Sequence, residues 1–460
     1  MTDQVKTAVL PLVAAMLWIA VLPALPAFGN QLFASVSVLK TDRLAYLLAA
    51  GAMVFQALRQ PRSLQPLGRV ERAMAIYLAV VLVSWGVTLP NKGMVAFKQD
   101  ADFLLTCFLM PFTAFLIARN VEWTSRRVVT CIWVLVGGVG LFLLLLGTVQ
   151  YAYDWNFLVR PVMRSVHPDR AKGTFDNAVP YGVVLLILLT LALFLYGRSA
   201  RRGARLVLWP IAFGLLQCIV ASKTRAVWLA LPVVFLILAV QHPRIRFLAI
   251  ALTADLALQV LLAPAVGLDF WGLHTRLVQA SPVYNRVAAS ATAWNMIEHK
   301  PLFGFGFGIS TFQTDKPDFY SSWGNVAPDW AVLPQNPHND ILNVMVLMGM
   351  VGLLPYLALL WASWQVLWER SRRGAADAAN RELASFVQAI FLTLLIVGQS
   401  HSVMYMSYPQ IVLFFLLGIV ARQPAAAVRL VEAGQRADTV PAGWIQPAAE
   451  VTRVPGGDYR

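Results

Sequence analysis

Long apolar runs separated by polar connections dominate the chain. Each run is continuous over about 18–25 residues, the length that a helix needs to cross the hydrocarbon core of a bilayer. The runs lack the two-residue alternation that is typical of membrane barrel strands. We therefore predict twelve membrane-spanning helices. Their approximate ranges are 8–28, 33–57, 73–90, 101–118, 128–150, 178–197, 205–221, 226–241, 245–267, 340–368, 383–400 and 404–421.

Composition agrees with this pattern. The 460 residues are 58% hydrophobic and 13% charged, whereas soluble proteins average about 45–50% apolar and about 25% charged residues. In lipid the backbone must satisfy its own hydrogen bonds, and continuous apolar runs do so as helices. The predicted fold class is an all-α polytopic membrane protein. The net charge of +14 does not indicate nucleic acid, because Lys and Arg gather in the cytoplasmic loops of membrane proteins and face anionic lipids.

The arginines predict the orientation of the spans. The connections after spans two, four, six, eight and ten each contain several arginines, so the positive-inside rule assigns them to the cytoplasm. Both termini are then cytoplasmic. Four regions follow, namely spans one to nine over 1–267, a large extracytoplasmic loop over 268–340, spans ten to twelve over 341–421, and a tail over 422–460. The tail is rich in Ala, Pro and Gly, and we expect it to be disordered.

Several cations lie on the extracytoplasmic side, against this trend. One polar stretch, 151–177, contains Arg164 and Lys172, and a short connection between spans seven and eight contains Lys223 and Arg225. The large loop contains Arg286. The alternative to a functional role is that such side chains extend to headgroup phosphates. For Arg225, which lies between two spans, we favour function.

The large loop contains one predicted helix. Ser281 and Pro282 are typical of an N-cap and a first helical position, and the helix extends to about Glu298. Arg286 falls early in it, where free N–H groups and the helix dipole favour an anion. Apolar residues at helical spacing predict one face that lies on the membrane interface. They are Tyr284, Val287, Ala291, Trp294 and Ile297.

The glycine run Gly304–Gly308 does not follow a strand, so it is not a nucleotide-binding motif. It predicts a sharp turn that directs Phe305 and Phe307 into lipid or protein. The three cysteines lie inside apolar runs and indicate packing. No carboxylates are spaced as a metal motif, so neither a metal nor a cofactor is predicted. Asp255, within span nine, is expected to form a structural hydrogen bond with a group such as Gln217.

His338 lies immediately before span ten. It is flanked by Asn336, Asn339 and Asp340, which can fix its tautomer, and Asp340 is expected to raise its pKa. An ordinary imidazole has a pKa of about 6.5, is mostly neutral at pH 7 and can accept a proton. For the other five histidines we expect surface or interfacial positions.

The order of these features resembles the O-antigen ligase family. The resemblance rests on the large loop before the last three spans, on Ser222-Lys223-Thr224-Arg225, on Gly173–Asn177, and on His338-Asn339. It also includes the pattern from Arg286 and Trp294 to Pro301-Leu302-Phe303-Gly304. It covers about residues 170–420. O-antigen polymerases and protein O-oligosaccharyltransferases share this loop and remain alternatives.

The resemblance implies transfer of O-antigen glycan from undecaprenyl pyrophosphate to a sugar hydroxyl of lipid A–core. The reaction would occur at the periplasmic face of the bacterial inner membrane, and the lack of a carboxylate motif in the extracytoplasmic loops leads us to expect that it needs no metal. It implies that His338 is the general base and that Arg225 and Arg286 bind pyrophosphate. A single displacement would invert the anomeric centre. Five residues are further candidates for substrate binding, namely Arg164, Lys172, Lys223, Asn336 and Asn339.

An alternative from another class is a secondary transporter or lipid flippase. Such a protein is expected to have ionisable residues in several spans and repeats that relate its two halves. The sequence has one clear mid-span acid, Asp255, and no evident repeat. Its polar residues gather in loops, which favours the transferase.

Overall fold

The computed structural model describes residues 2–23, 41–59, 64–88, 90, 93–159, 169–175, 177–262, 265–268, 273–320, 335–372 and 378–422. Over these residues the chain is helical, with no strand. The helices are α1 (Thr2–Val21), α2 (Thr41–Arg59), α3 (Arg69–Thr88), α4 (Met94–Asn120), α5 (Ser125–Ala152), α6 (Ala178–Arg198), α7 (Arg202–Ala221), α8 (Arg225–Gln241), α9 (Pro243–Leu262), α10 (Leu273–Val278), α11 (Ser281–His299), α12 (Thr311–Phe319), α13 (Asp340–Arg372), α14 (Ala378–Gly398) and α15 (Ser407–Ala421).

Among the described residues, eight helices are long and apolar enough to cross a membrane, and three shorter apolar segments lie in α1, α8 and α15. Each of the twelve predicted spans overlaps one helix, although α2 is in neither group. The prediction of an all-α polytopic membrane protein is confirmed. The boundaries of the four predicted regions stay a prediction, and the tail beyond Arg422 lies outside the described residues.

Helix α6 is the centre of the bundle, and nearly all of its side chains are buried against neighbouring helices. Its first residue, Ala178, accepts a hydrogen bond from Thr224 Oγ1 at 3.4 Å. Its last residue, Arg198, forms an ion pair with Glu382 at 2.9 Å. These contacts define two ends of the bundle, which we name the Ala178 end and the Arg198 end.

Helix α13 is broken at Gly349, which has φ 58° and ψ −156°. The segment Pro301–Gly306 fills the break. Phe305 N and Gly306 N donate to Val346 O and Leu347 O at 2.8 and 2.9 Å, while Met350 N donates to Pro301 O at 2.9 Å. The inserted segment thus satisfies backbone groups that a break in a helix leaves free.

The glycines of this junction allow the two backbones to approach closely. A Cβ on Gly304, which has φ 66°, would lie 2.6 Å from Met348 N, and one on Gly349 would lie 2.4 Å from Leu302 O. Phe307 is fully buried and stacks on Phe103 at 5.3 Å between ring centroids. The predicted sharp turn and the burial of Phe307 are confirmed.

Asp255 is held within the bundle by two amides. Gln217 Nε2 and Gln259 Nε2 donate to its Oδ2 at 2.9 and 2.8 Å. The prediction of a structural hydrogen bond to Gln217 is confirmed. Its contacts explain an acid within a span, so Asp255 no longer favours a transporter.

Candidate functional site

Cationic and imidazole side chains from distant parts of the sequence meet at the Ala178 end. We name this group the arginine–histidine cluster. Its members come from the segment before α6, from the start of α8, from α10 and α11, and from the residues that precede α13 and α15. They are Arg170, Arg225, Arg276, Arg286, His338 and His401.

The segment 169–175 is held in place by Gln150, near the end of α5. The amide oxygen of Gln150 accepts from Lys172 N and Gly173 N at 3.0 and 2.9 Å, and its amide nitrogen donates to Gly173 O at 2.7 Å. Arg170 is fixed on the turn between α7 and α8, since its Nε donates to Ser222 O at 2.7 Å. The structure therefore brings together two polar stretches that are about fifty residues apart.

The candidate lysines of these stretches are engaged with protein or buried. Lys223 has φ 49°, and its Nζ donates to Asp169 Oδ2 at 2.8 Å. Burial alone would raise the pKa of Asp169, but the hydrogen bond and charge of Lys223 lower it. The side chain of Lys172 is buried, which lowers its pKa, as does Arg170. Their roles in substrate binding stay predictions, and Arg164 lies outside the described residues.

Arg225 begins α8 and reaches the end of α10. Its Nη2 donates to Arg276 O and, at 2.7 Å, to Gln279 O. Arg276 Nη1 donates to Gln279 Oε1 at 2.5 Å. The Nε atoms of Arg225 and Arg276 are buried and lack a hydrogen-bond partner within the described part of the chain. A bound anion would supply the missing acceptor.

Arg286 contacts His401, which follows α14. Arg286 Nη2 lies 3.0 Å from His401 Nε2. A guanidinium only donates, so Nε2 accepts and the ring proton is on Nδ1, which lies 3.2 Å from Ser400 Oγ. Burial lowers the pKa of Arg286, as do the charges of Arg276 and Arg225. Burial and Arg286 also hold the pKa of His401 well below its usual value.

His338 packs edge-on against His401, with ring centroids 5.6 Å apart. Its backbone is left-handed, with φ 53°, and its amide donates to Asn336 Oδ1 at 3.0 Å. Burial, followed by the charge of Arg286, lowers the pKa of His338 from 6.5 to about 4. Its imidazole is therefore neutral at neutral pH.

The expected effect of Asp340 on His338 is wrong. Asp340 Oδ1 accepts from Met404 N at 3.1 Å, so this side chain joins α13 to the residues before α15. The pKa of His338 falls instead of rising, because burial and Arg286 determine it.

The two candidate asparagines make bonds within the protein. Besides the amide of His338, Asn336 Oδ1 accepts from Ser402 Oγ at 2.9 Å. Asn339 Oδ1 accepts from Leu342 N at 3.1 Å, as an N-cap of α13 does, and its amide nitrogen donates to Gln399 O at 3.3 Å. Both asparagines hold the backbone around His338, and their predicted role in substrate binding stays a prediction.

Helix α11 differs in detail from its prediction. Its N-cap is Ala280, not Ser281. The buried face consists of Ala289, Ala293, Met296 and Ile297, packed on Phe312 and Val346. Of the predicted apolar face, Tyr284 and Trp294 are exposed. The interfacial position predicted for the Tyr284 and Trp294 face stays a prediction, while small alanines on the buried face allow α11 to pack closely against α12 and α13.

Sequence reasoning missed His401 and did not select Arg170 or Arg276. His401 was expected at the surface or interface, but only 6% of it is exposed. The sequence offered one signal for His401, namely its position just after a predicted span. His338 has the corresponding position just before a predicted span. Among the described residues, no three His, Cys, Asp or Glu side chains are grouped to hold a metal ion.

The fold and the site define a multi-pass helical membrane protein with arginines and paired imidazoles at one end of its bundle. Residues 210–357 match the family model described as O-antigen ligase. The chain is also 21% identical over 321 residues to an O-antigen ligase of Salmonella typhimurium strain LT2, covering 69% of this chain and 75% of that protein. These matches confirm the resemblance to the O-antigen ligase family that the sequence showed.

Proposed function

We propose that the protein is a glycosyltransferase of the O-antigen ligase type. In this proposal it transfers O-antigen glycan from undecaprenyl pyrophosphate to a sugar hydroxyl of lipid A–core, at the periplasmic face of the inner membrane. The observation that carries the proposal is the contact of Arg286 with His401, which places a cation beside the neutral His338.

The arginines suit the leaving group. Guanidinium groups stay protonated and bind phosphate oxygens with paired hydrogen bonds. Arg225 and Arg276 have buried Nε donors without a described partner, and Arg286 lies beside them. Together they would stabilise the negative charge that develops on pyrophosphate as its bond to the sugar breaks.

His338 suits the acceptor. In one displacement the acceptor oxygen forms a bond to the anomeric carbon, and the bond from that carbon to the pyrophosphate oxygen breaks. The electron pair leaves on undecaprenyl pyrophosphate, and the hydroxyl proton moves to His338. The anomeric centre is inverted. His401 is less available as a base, because its Nε2 lone pair already accepts from Arg286.

The low pKa of His338 limits its strength as a base before the donor binds. A base with a pKa of about 4 is neutral but weak. Burial is the larger cause of this low pKa and the charge of Arg286 the smaller one, and a pyrophosphate bound at Arg286 would offset the smaller one. Donor binding would therefore make His338 a stronger base when the acceptor needs it.

Reconstitution tests the proposal. Purified protein in vesicles is given carrier-linked glycan and lipid A–core, with a chelator present. We expect glycan on lipid A–core, with inverted configuration by NMR and without a covalent glycosyl-enzyme. A retained configuration would contradict the single displacement, and lengthened glycan on the carrier would indicate a polymerase. Transfer to protein alone would indicate a protein O-oligosaccharyltransferase.

A further inference from the structure

A second basic site lies at the Arg198 end, on the other side of the bundle from the arginine–histidine cluster. It is a cavity of about 790 Å³ between the ends of α6, α8, α9, α13 and α14. The proposed transfer reaction does not use it. Its lining includes Arg198, His242, Arg244, Arg372 and Arg381.

The cavity has a polar, buried wall. Ser385 and Gln388 are each 6% exposed. His242 Nε2 lies 2.6 Å from Ser385 Oγ, and Ser371 Oγ donates to Gln388 Oε1 at 3.4 Å. Burial lowers the pKa of His242 to about 4, so its ring is neutral. This wall offers hydrogen bonds but no negative charge.

The rim is strongly positive. Glu382 is the one acidic residue among the described lining residues, and it is paired with Arg198 at 2.9 Å. Arg244 and Arg381 are exposed, and Arg372 lies over the ring of Trp368 at 3.5 Å. Three arginines therefore face the cavity without an acid of their own in its described lining, an arrangement that favours an anion.

The helices that end at this rim carry exposed apolar side chains. Val240, Phe247 and Trp361 are 68%, 76% and 61% exposed, and they lie in the apolar helices α8, α9 and α13. Trp361 precedes Trp368 by two helical turns, so both lie on one face of α13. The site thus combines arginines that can bind an anionic headgroup with apolar side chains that can contact acyl chains.

We propose that this cavity binds the phosphodiester headgroup of an anionic phospholipid, whose acyl chains lie along α8, α9 and α13. Basic pockets between membrane helices bind such headgroups. Arg244 and Arg381 contact the phosphate from the rim, Arg372 adds charge from its place on Trp368, and Ser385 and Gln388 bind headgroup hydroxyls.

The experiment measures lipid binding to the full chain in detergent by native mass spectrometry. Phosphatidylglycerol is titrated against phosphatidylcholine on the wild type, on R244Q/R372Q/R381Q and on R244Q/R381Q, which leaves the Trp368 contact intact. The control R126Q/R201Q/R202Q removes the same charge from exposed arginines in other connections at the Arg198 end. Size-exclusion profiles show whether each variant is folded.

We expect phosphatidylglycerol to bind the wild type more tightly than phosphatidylcholine. Both cavity variants should weaken it by about tenfold or more, and the control by less than about twofold. Equal losses in the cavity and control variants would overturn the proposal in favour of general charge attraction. Displacement of the lipid by millimolar inorganic phosphate would overturn it in favour of a soluble anion. Equal binding of phosphatidylcholine would also contradict it.

Discussion

Two groups of arginines in this protein have different partners. Arg119 and Arg198 are paired with Glu71 and Glu382. In the arginine–histidine cluster, by contrast, Arg170, Arg225 and Arg286 donate to backbone carbonyls, a hydroxyl and an imidazole. Neutral acceptors hold a guanidinium in place without cancelling its charge. The paired arginines thus join helices, whereas the described hydrogen bonds of the cluster arginines leave their positive charge uncancelled.

The sharpest test of this difference is Arg286→Ala. Loss of the charge beside His338 should lower glycan transfer by about 10²–10³-fold or more, as loss of one transition-state donor does elsewhere. The matched control is Arg286→Lys, which keeps the charge and loses the planar guanidinium. We expect Arg286→Lys to recover only part of the activity.

Transfer to lipid A–core is measured with purified, reconstituted protein, together with the temperature of unfolding. If the Arg286→Ala variant stays active, Arg286 is not part of the site that performs transfer. Inactivity accompanied by unfolding would show that Arg286 is structural, like Arg119.

His338→Ala should lower transfer by about 10²–10⁴-fold, the usual contribution of a general base. His401→Ala serves as its comparison, because it removes an acceptor of Arg286 and not the proposed base. We expect His401→Ala mainly to raise KM for the donor. If His401→Ala lowers kcat as much as His338→Ala does, the two roles must be reconsidered.

The Arg119→Met variant tests the group of arginines that are paired with glutamates. Arg119 is 3% exposed and Glu71 is 5% exposed, so the variant leaves a buried carboxylate without its partner. The free energy of unfolding should fall by about 3–5 kcal/mol. The double variant Arg119→Met/Glu71→Leu should recover most of the lost free energy of unfolding. Denaturation in micelles measures this free energy for the single and the double variant. The transfer activity of the folded fraction should not change in either variant.

A smaller effect than those of the substitutions is expected in the pH dependence of stability and of kcat. The pKa of His338 is 6.5 before burial and about 4 in the folded protein. Its contribution to stability is therefore complete above about pH 6.5 and is lost as the pH falls toward about 4. If a bound donor raises this pKa, the acid limb of kcat will lie at higher pH than that of kcat/KM. Coincident limbs would contradict coupling between donor and base.

The smallest effect is expected at an exposed pair. Arg69 Nη1 lies 2.8 Å from Glu369 Oε1, and both side chains are about half exposed. Arg69→Ala should change the free energy of unfolding by less than about 1 kcal/mol, because water screens such pairs. Transfer should be unaffected. A loss of transfer activity in the Arg69→Ala variant would mean that transfer depends on the charge of arginines outside the arginine–histidine cluster as well.

Much of the fold could be predicted because the length and continuity of apolar runs are properties of single segments. Each of the twelve predicted spans overlaps a described helix for this reason. The break at Gly349 could not be predicted, since it depends on hydrogen bonds from Pro301–Gly306, more than forty residues earlier. The alanine-rich buried face of α11 likewise depends on the neighbours against which it packs.

The residues of the candidate site likewise differ in whether the sequence around them could indicate a function. Arg225, Arg286 and His338 carried signals in their local context, and the structure places the three near one another. His401 carried almost none, because its importance comes from a partner 115 residues away. The direction of the pKa shift of His338 was missed for a similar reason. Its sequence neighbour Asp340 faces Met404, while a distant arginine lies close.

The junction at Gly349 also limits how relatives can exchange parts. Pro301–Gly306 and the broken helix complete one another, and a side chain on Gly304 or Gly349 would collide with the opposite backbone. A chimera that joins the loop of this chain to the helix of another protein in place of α13 must therefore keep both glycines in register. A functional graft from this chain is expected to need the loop and the first half of α13 as a single unit.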